Sequence, residues 1–200
     1  MFAATEAGET EMRGSMIQTK TIEAFEDEFG RIETGLFSSA DSDVQIVKYK
    51  GDSSSRLAFV GTLGLADKSR KKGGVGCEWF MEFPDDLSAN QAASVLDHYV
   101  SMYLSGEIPE PKRGSYILFS SLKDRVWPND NSVGFYFTIP VFRSDEFRKK
   151  SHANNIVPIW VVPIIKQESE ILESHGWHRL EEYWDQMNTD LHDAYRVQIL

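Results

Sequence analysis

Cysteine is almost absent from the 200-residue chain, which contains only Cys77. A single thiol excludes an intramolecular disulfide framework and a metal site built from several cysteines. It also favours a reducing compartment. The N-terminus lacks a basic start followed by an apolar stretch, and the longest apolar run, Ile156–Ile165, is too short to span a bilayer. We therefore expect a soluble, cytoplasmic protein that does not associate with membranes.

Positive charge is also scarce, because 21 Lys and Arg residues stand against 31 Asp and Glu residues and give a formal net charge of −10. This charge argues against a nucleic acid as a direct partner, since phosphate binding needs a basic surface. It permits a basic protein partner, because opposite charges steer association. An acidic surface also serves solubility alone, and the charge by itself leaves both interpretations open.

Sequence motifs of known catalytic sites are missing. The glycines of Gly61–Gly64 and Gly73–Gly76 match neither a phosphate-binding loop nor a dinucleotide fingerprint, and no Gly-x-Ser-x-Gly elbow occurs. Cys77 alternates with apolar residues, a pattern that predicts a buried and inert thiol. Neighbouring carboxylates lie on predicted helix exteriors rather than in a cleft. The sequence therefore predicts no catalytic residue, no cofactor and no enzyme activity.

Two histidines, His175 and His178, are three residues apart and have Glu168 and Glu181 nearby. They would share one face of an unbroken helix, but Gly176 between them favours a helix break. A zinc-protease helix needs histidines four residues apart with a glutamate beside the first. We predict no metal site, and a metal-assisted hydrolase that uses these two histidines is an alternative function.

Hydrophobic periodicity and turn residues predict both helices and strands along the chain. Predicted helices start at Thr21, cover residues 89–104, start at Glu168 and resume after Gly176. Predicted strands are Asp43–Tyr49, Arg56–Leu65, Val75–Phe83, Ser115–Ser120, Ser132–Phe142 and Ile156–Ile165. The basic segment Asp67–Gly74 and the hydrophilic segment Arg143–Asn155 are predicted to be loops.

The order of these elements predicts an α+β fold, with a mixed or mostly antiparallel β-sheet and helices packed on it. Regular βαβ alternation is absent, which argues against a doubly wound sheet. Residues 1–15 have almost nothing to bury and are predicted to be disordered. Residues 16–200 are predicted to form a single domain, since no linker divides them.

Two predicted helices present acidic outer faces. Near the N-terminus the face is Glu26–Glu28, and near the C-terminus it consists of Glu181, Glu182 and Asp185. Tyr183 lies on the second helix, where it either joins this face or belongs to the core. Acidic residues mixed with aromatic ones are typical of a site for a basic protein. We therefore predict that Glu181, Glu182 and Asp185 contact a protein partner.

Six segments follow one another in an order that characterises a known family. They are Phe59–Leu65 (FVGTLGL), Cys77–Phe83 (CEWFMEF), Val95–Val100 (VLDHYV), Ile159–Ile164 (IWVVPI) with Glu168 after it, His175–Gly176 and Leu180–Glu181. Together they resemble suppressor of fused (SUFU) domains, over residues 20–187. The resemblance implies a SUFU-like α+β fold, and the length of the chain implies a short, bacterial-type member.

The resemblance also implies a protein-binding function. Short bacterial members act as immunity proteins that neutralise toxins, so the preferred prediction is an immunity-type protein whose partner is a basic toxin domain. Eukaryotic members clasp a transcription-factor peptide as an added strand, which makes a regulatory peptide-binding protein the alternative. That alternative places Tyr99 in a groove beside a free sheet edge. This chain departs from the eukaryotic pattern at Ser115, where an acidic residue follows the glycine in those members. Tyr99 and Ser115 are the further predicted contact residues.

Overall fold

The computed structural model describes residues 20–38, 43–51, 57–84, 88–119, 131–193 and 196. Within them, seven strands form one sheet in the order β1-β2-β3-β4-β7-β6-β5. The strands are β1 (Ile32–Ser38), β2 (Gln45–Tyr49), β3 (Leu57–Leu63), β4 (Cys77–Pro84), β5 (Ser115–Leu118), β6 (Ser132–Thr138) and β7 (Val157–Ile165). The predicted disorder of residues 1–15 concerns a segment outside the described residues.

All neighbouring strands run antiparallel except the central pair, β4 and β7, which is parallel. The helices are α1 (20–29), α2 (Leu65–Lys71), α3 (Ala89–Ser105), α4 (Asp145–Ala153), α5 (Lys166–His175) and α6 (Trp177–Met187). A mixed sheet with helices on it confirms the predicted α+β class.

Helices cover both faces of the sheet. On one face α3 packs across β1–β4, where Tyr99 joins Trp79 and other buried side chains in one hydrophobic cluster. The opposite face carries the other large cluster, to which α1 contributes Phe29, α4 contributes Phe147 and α6 contributes Trp184. The C-terminal helices thus lie on the face away from α3.

Strand β4 is buried on both faces rather than on the one face predicted. Its alternation is as predicted, with Cys77 and Trp79 facing α3, but the other face is covered as well, so Glu78 and Glu82 are 1% and 2% exposed. The strand lies in the centre of the sheet, where both faces need a helix layer. The two glutamates are therefore internal polar groups, each of which needs partners.

Glu78 is a buried carboxyl group with three hydrogen-bond donors around it. Its Oε1 atom accepts hydrogen bonds from the main-chain N–H groups of Gly64 (2.9 Å) and Ala66 (3.1 Å), and its Oε2 atom lies 2.6 Å from Thr62 Oγ1. Thr62 Oγ1 in turn accepts from the N–H group of Trp79 at 2.8 Å. Burial raises the pKa of Glu78 from 4.5 to about 7, against the opposing effect of these hydrogen bonds.

This burial predicts a stability that falls as the pH rises. Below pH 4.5 Glu78 is protonated in both the folded and unfolded states, and above about pH 7 it is ionised in both. Between these values only the unfolded state loses the proton, so the folded state should lose roughly 3 kcal/mol through this group. A Glu78→Gln variant keeps the shape and cannot ionise. In urea unfolding from pH 5.5 to 8.5, its stability relative to wild type should rise with pH, and parallel curves for the two proteins would contradict the assignment.

Two segments predicted to be loops are helical. Asp67–Gly74 contributes most of α2, whose residues Leu65 and Ser69 are buried and whose basic residues lie in its last turn, where they favour the helix dipole. Arg143–Asn155 contains α4, whose N-cap Ser144 accepts a hydrogen bond from the N–H group of Phe147 at 3.0 Å. These helices bury so few large side chains that no apolar periodicity reveals them.

Strand β1 was not predicted, and β6 is shorter than predicted. Register shifts in β1 between Ile32 and Thr34 interrupt the alternation on which strand prediction depends. β6 ends at Thr138 instead of Phe142, because Pro140 has no N–H group for the sheet and the chain turns there. The turn leaves Phe142 48% exposed.

Candidate functional site

A cleft of about 540 Å³ opens between α6, the turn after β6 and the segment 188–191. Its lining combines apolar and charged side chains from elements that are distant in sequence. Val141 and Phe142 come from the turn, Trp160 comes from β7, and Trp184 comes from α6. This volume falls in the range of about 300–1,000 Å³ that is usual for ligand pockets.

The three acidic residues predicted to contact a partner all line this cleft. Glu182 and Asp185 are exposed, and Glu182 is paired with Arg179 of the same helix at 3.1 Å. Salt bridges between exposed groups of this kind are weak, so the Glu182 carboxylate can exchange Arg179 for another cation. Both residues therefore remain predicted contact residues.

Glu181 differs from its two neighbours because its carboxylate is already engaged. It accepts hydrogen bonds from the hydroxyls of Tyr136 (2.8 Å) and Thr138 (3.0 Å) and forms a bidentate pair with the guanidinium of Arg113. Burial raises the pKa of Glu181, but these hydrogen bonds outweigh it and hold the pKa below its usual value. Glu181 thus joins α6 to β6 and to the loop before β5, rather than facing outwards as predicted.

Aromatic side chains form the floor and one wall of the cleft. Trp160 and Trp184 are 2% and 6% exposed and lie in the floor, whereas Phe142 stands in the wall. The rings of Phe142 and Trp160 meet edge to face at 4.7 Å. The indole N–H group of Trp160 is buried and finds no acceptor among the described residues. The cleft therefore offers an exposed aromatic ring and a buried donor that has no acceptor in the described part of the chain.

Behind the cleft, a buried charge cluster holds the aromatic wall in place. Glu82, whose side chain is closed to solvent, contacts the guanidinium of Arg143 and lies 2.8 Å from His192 Nε2. The ring of Phe142 lies 4.9 Å from the Arg143 guanidinium and 5.8 Å from the His192 ring. The hydrogen bond to Glu82 raises the pKa of His192 above 6.5, with Asp190 adding to this effect and burial opposing it. The cluster thereby joins β4 to both segments that flank the cleft.

A second buried cluster fixes α6 against β7. Glu168, which is 1% exposed, accepts hydrogen bonds from the main-chain N–H group of Ile165 (2.8 Å) and from the indole N–H group of Trp184 (2.7 Å). The guanidinium of Arg196 contacts both carboxylate oxygens at 3.0 and 2.9 Å, and it also donates to the carbonyl of Pro163. Glu168 therefore has a structural role that connects the end of the chain to the floor of the cleft.

The other predicted contact residues lie elsewhere. Tyr99 is 2% exposed and belongs to the core under α3, so it is not available to line a groove. Ser115 begins β5, a strand at the edge of the sheet, and its hydroxyl accepts a hydrogen bond from the N–H group of Lys112 at 3.1 Å. Neither residue is part of the cleft.

The residues of the alternative hydrolase do not converge in the structure. His175 and His178 are exposed on either side of Gly176, and the ring of His178 stacks on Trp177 at 3.5 Å. Across the described ranges, no three His, Cys, Asp or Glu side chains are grouped so that they could hold a metal ion. Burial raises the pKa of the Cys77 thiol to about 12, so this residue is not a reactive thiolate at neutral pH. No helix within these ranges is long and apolar enough to cross a membrane.

Sequence reasoning missed Phe142, Arg143 and His192. Phe142 was placed at the end of a strand and Arg143 at the start of a loop, so neither was considered as part of a site. A signal was nevertheless present, since Pro140 forbids a continuing central strand and leaves the apolar pair Val141-Phe142 outside the sheet.

Comparison with known proteins places the chain in a family. The family model described as "Suppressor of fused protein (SUFU)" matches residues 41–197, well over half of the chain. A crystal structure described as that of a SUFU homologue from Neisseria gonorrhoeae is similar, with a TM-score of 0.69 and 15% sequence identity over 94% of this chain and 97% of the other. No curated protein sequence matches.

Proposed function

Because the chain belongs to the suppressor of fused (SUFU) family, whose domains bind other proteins, we propose that it is an immunity-type protein that neutralises a basic toxin domain. The proposal confines binding to a surface that we call the α6 cleft, lined by Val141, Phe142, Glu182 and Asp185 among others. The partner would be held there as a protein surface, with no chemical step.

The observation that carries the proposal is that large apolar side chains are exposed in the same cleft as exposed carboxylates. Val141 and Phe142 are 58% and 48% exposed, next to the exposed carboxylates of Glu182 and Asp185. Aromatic anchors that fill a partner's pocket supply most of the energy of protein interfaces, while charged residues at the rim supply steering and register. The α6 cleft has both kinds of residue in one place.

Charge supports the choice of a basic partner. The net charge of −10 is spread over a small protein and should attract a cationic surface over several ångströms at physiological ionic strength. Toxins that act on nucleic acids need such a surface to bind phosphates. Occlusion of that surface by an acidic protein would stop the toxin from reaching its substrate.

The test is inhibition of candidate toxins, taken from the genes that neighbour the gene of this protein. Wild-type protein should abolish the toxin's activity at equimolar concentration.

Phe142→Ala should weaken binding about 30-fold, a loss of roughly 2 kcal/mol, which is typical of an interface anchor. Asp185→Lys should mainly slow association, and more so at low salt. Glu173→Lys is the charge-matched control, because Glu173 is exposed on α5 and does not line the cleft. A toxin that is neither bound nor inhibited would contradict the proposal.

A regulatory protein that binds a peptide by strand addition is the second candidate. Among the described strands, β1 and β5 form the sheet edges; β5 pairs with β6 in an unbroken register, and its Tyr116 is 39% exposed. An added strand would protect the amide groups of β5 from hydrogen exchange when a partner binds. Binding at the α6 cleft would instead protect the turn around Phe142, so hydrogen-exchange mass spectrometry separates the two functions.

A further inference from the structure

We propose that the α6 cleft is a receptor for a single arginine side chain of the protein partner. This inference deepens the proposed protein-binding function and rests on it, but it does not depend on the partner being a toxin. It names the chemistry that the cleft recognises, namely a planar guanidinium group that contacts an aromatic face and a carboxylate at the same time.

The electrostatics of the cleft favour a cation. Three carboxylates and one guanidinium line it, so its formal charge is −2 when His178 is neutral. Arg113 is already neutralised by its bidentate contact with Glu181. Of the other two carboxylates, which are both exposed at the rim, Glu182 is held only by its weak surface pair with Arg179 at 3.1 Å. A cationic side chain that enters the cleft therefore meets the negative charge of Asp185 and can replace Arg179 beside Glu182.

The protein itself binds guanidinium groups in this way on both sides of the cleft. Arg113 lies over the ring of Trp177 at 4.9 Å and pairs with Glu181. Arg143 lies 4.9 Å from the ring of Phe142 and pairs with Glu82. Each arrangement combines an aromatic face with a carboxylate, which suits the flat and weakly hydrated guanidinium better than the compact ammonium group of lysine.

The cleft contains the parts of a further arrangement of this kind. The Phe142 ring remains 48% exposed although Arg143 lies against it, and the carboxylates of Asp185 and Glu182 line the same cleft. A second, independent feature is the indole N–H group of Trp160 in the floor, which is buried without an acceptor among the described residues. A buried donor is stabilised when a ligand brings an acceptor, and the main-chain carbonyl of a bound segment is one.

The test is a titration with three capped tripeptides, acetyl-Gly-Arg-Gly-amide and its lysine and citrulline counterparts, followed by ¹H–¹⁵N NMR. The arginine peptide should shift the signals of the 139–143 turn and the indole N–H signal of Trp160 in a saturable way, with a millimolar dissociation constant. The lysine peptide should bind at least about threefold more weakly, since it lacks the planar stacking group. The neutral citrulline peptide should cause no saturable shift.

Two variants locate the site. Asp185→Asn removes one carboxylate at the rim and should weaken arginine binding about fivefold, without unfolding an exposed helix position. Glu173→Gln makes the same chemical change on α5 outside the cleft and should leave binding unchanged.

Three outcomes would overturn the inference. They are equal binding of the arginine and lysine peptides, absence of saturable shifts, and equal effects of the two variants. Toxin inhibition without arginine-peptide binding would refute only this inference, and arginine-peptide binding without toxin inhibition would refute only the immunity function.

Discussion

A Glu168→Ala variant should lose about 3–5 kcal/mol of its free energy of unfolding, the cost of removing one partner from a buried ion pair. The Glu168 side chain is 1% exposed and that of Arg196 is 9% exposed, so the guanidinium would stay in a closed environment without its counter-charge. The indole N–H group of Trp184 and the main-chain N–H group of Ile165 would lose their acceptors as well. Thermal unfolding should show a melting temperature lower by roughly 10 °C.

The control for this variant is Glu170→Ala on the same helix. Glu170 is 60% exposed and lies 3.8 Å from Lys166, a pair that contributes at most about 1 kcal/mol. The two variants remove the same side chain two residues apart, so they differ in burial and partners rather than in helix propensity. If their unfolding free energies fell within about 1 kcal/mol of each other, Glu168 would not be the anchor that the structure indicates.

A Glu82→Gln variant should lose about 3 kcal/mol of stability and should also change the titration of His192. The substitution keeps the shape of the side chain but leaves Arg143 and His192 without the charge that they share. Because the hydrogen bond to Glu82 is the largest cause of the raised His192 pKa, that pKa should fall towards its ordinary value. NMR titration of the imidazole signal measures this shift directly.

The pH dependence gives the Glu82 prediction a definite sign. A raised His192 pKa contributes stability that is fully present below pH 6.5 and is lost as the pH rises through the folded-state value. The stability difference between wild type and Glu82→Gln should therefore be larger at pH 6 than at pH 9, where only Arg143 still needs the carboxylate. Glu146→Gln, at an exposed position of α4, is the control. An unchanged His192 titration in Glu82→Gln would show that the cluster does not form.

The elements that were predicted well from the sequence are those in which apolar residues recur at regular spacing. Helix 89–104, the strand at 156–165 and the break at Gly176 are found within a residue or two of their predicted bounds. The missed helices, α2 and α4, are short and are stabilised by capping and a few buried residues such as Phe147. Helices this short contain too few apolar residues to show a recognisable helical spacing within a polar sequence.

The site was predictable only in part. The residues Glu182 and Asp185 were identified because they lie on the polar side of one amphipathic helix, which a sequence displays directly. Their aromatic neighbour Phe142 lies some 40 positions earlier in the chain, and only the pairing of β6 with β7 brings the two together. Glu181 was misplaced for the same reason, since its partners Tyr136 and Arg113 come from other elements.

The parallel pairing of β4 with β7 has a consequence for how the protein is made. Cys77 pairs with Val157, which lies 80 residues later, so the centre of the sheet is completed only after the long segment between these strands has been made. Strands β1–β4 can pair early, because each of these neighbours is adjacent in sequence. Until β7 has been made, the edge of β4 is open and presents a long apolar strand to other chains. We expect nascent chains that stop short of β7 to be the form of this protein that depends most on chaperones.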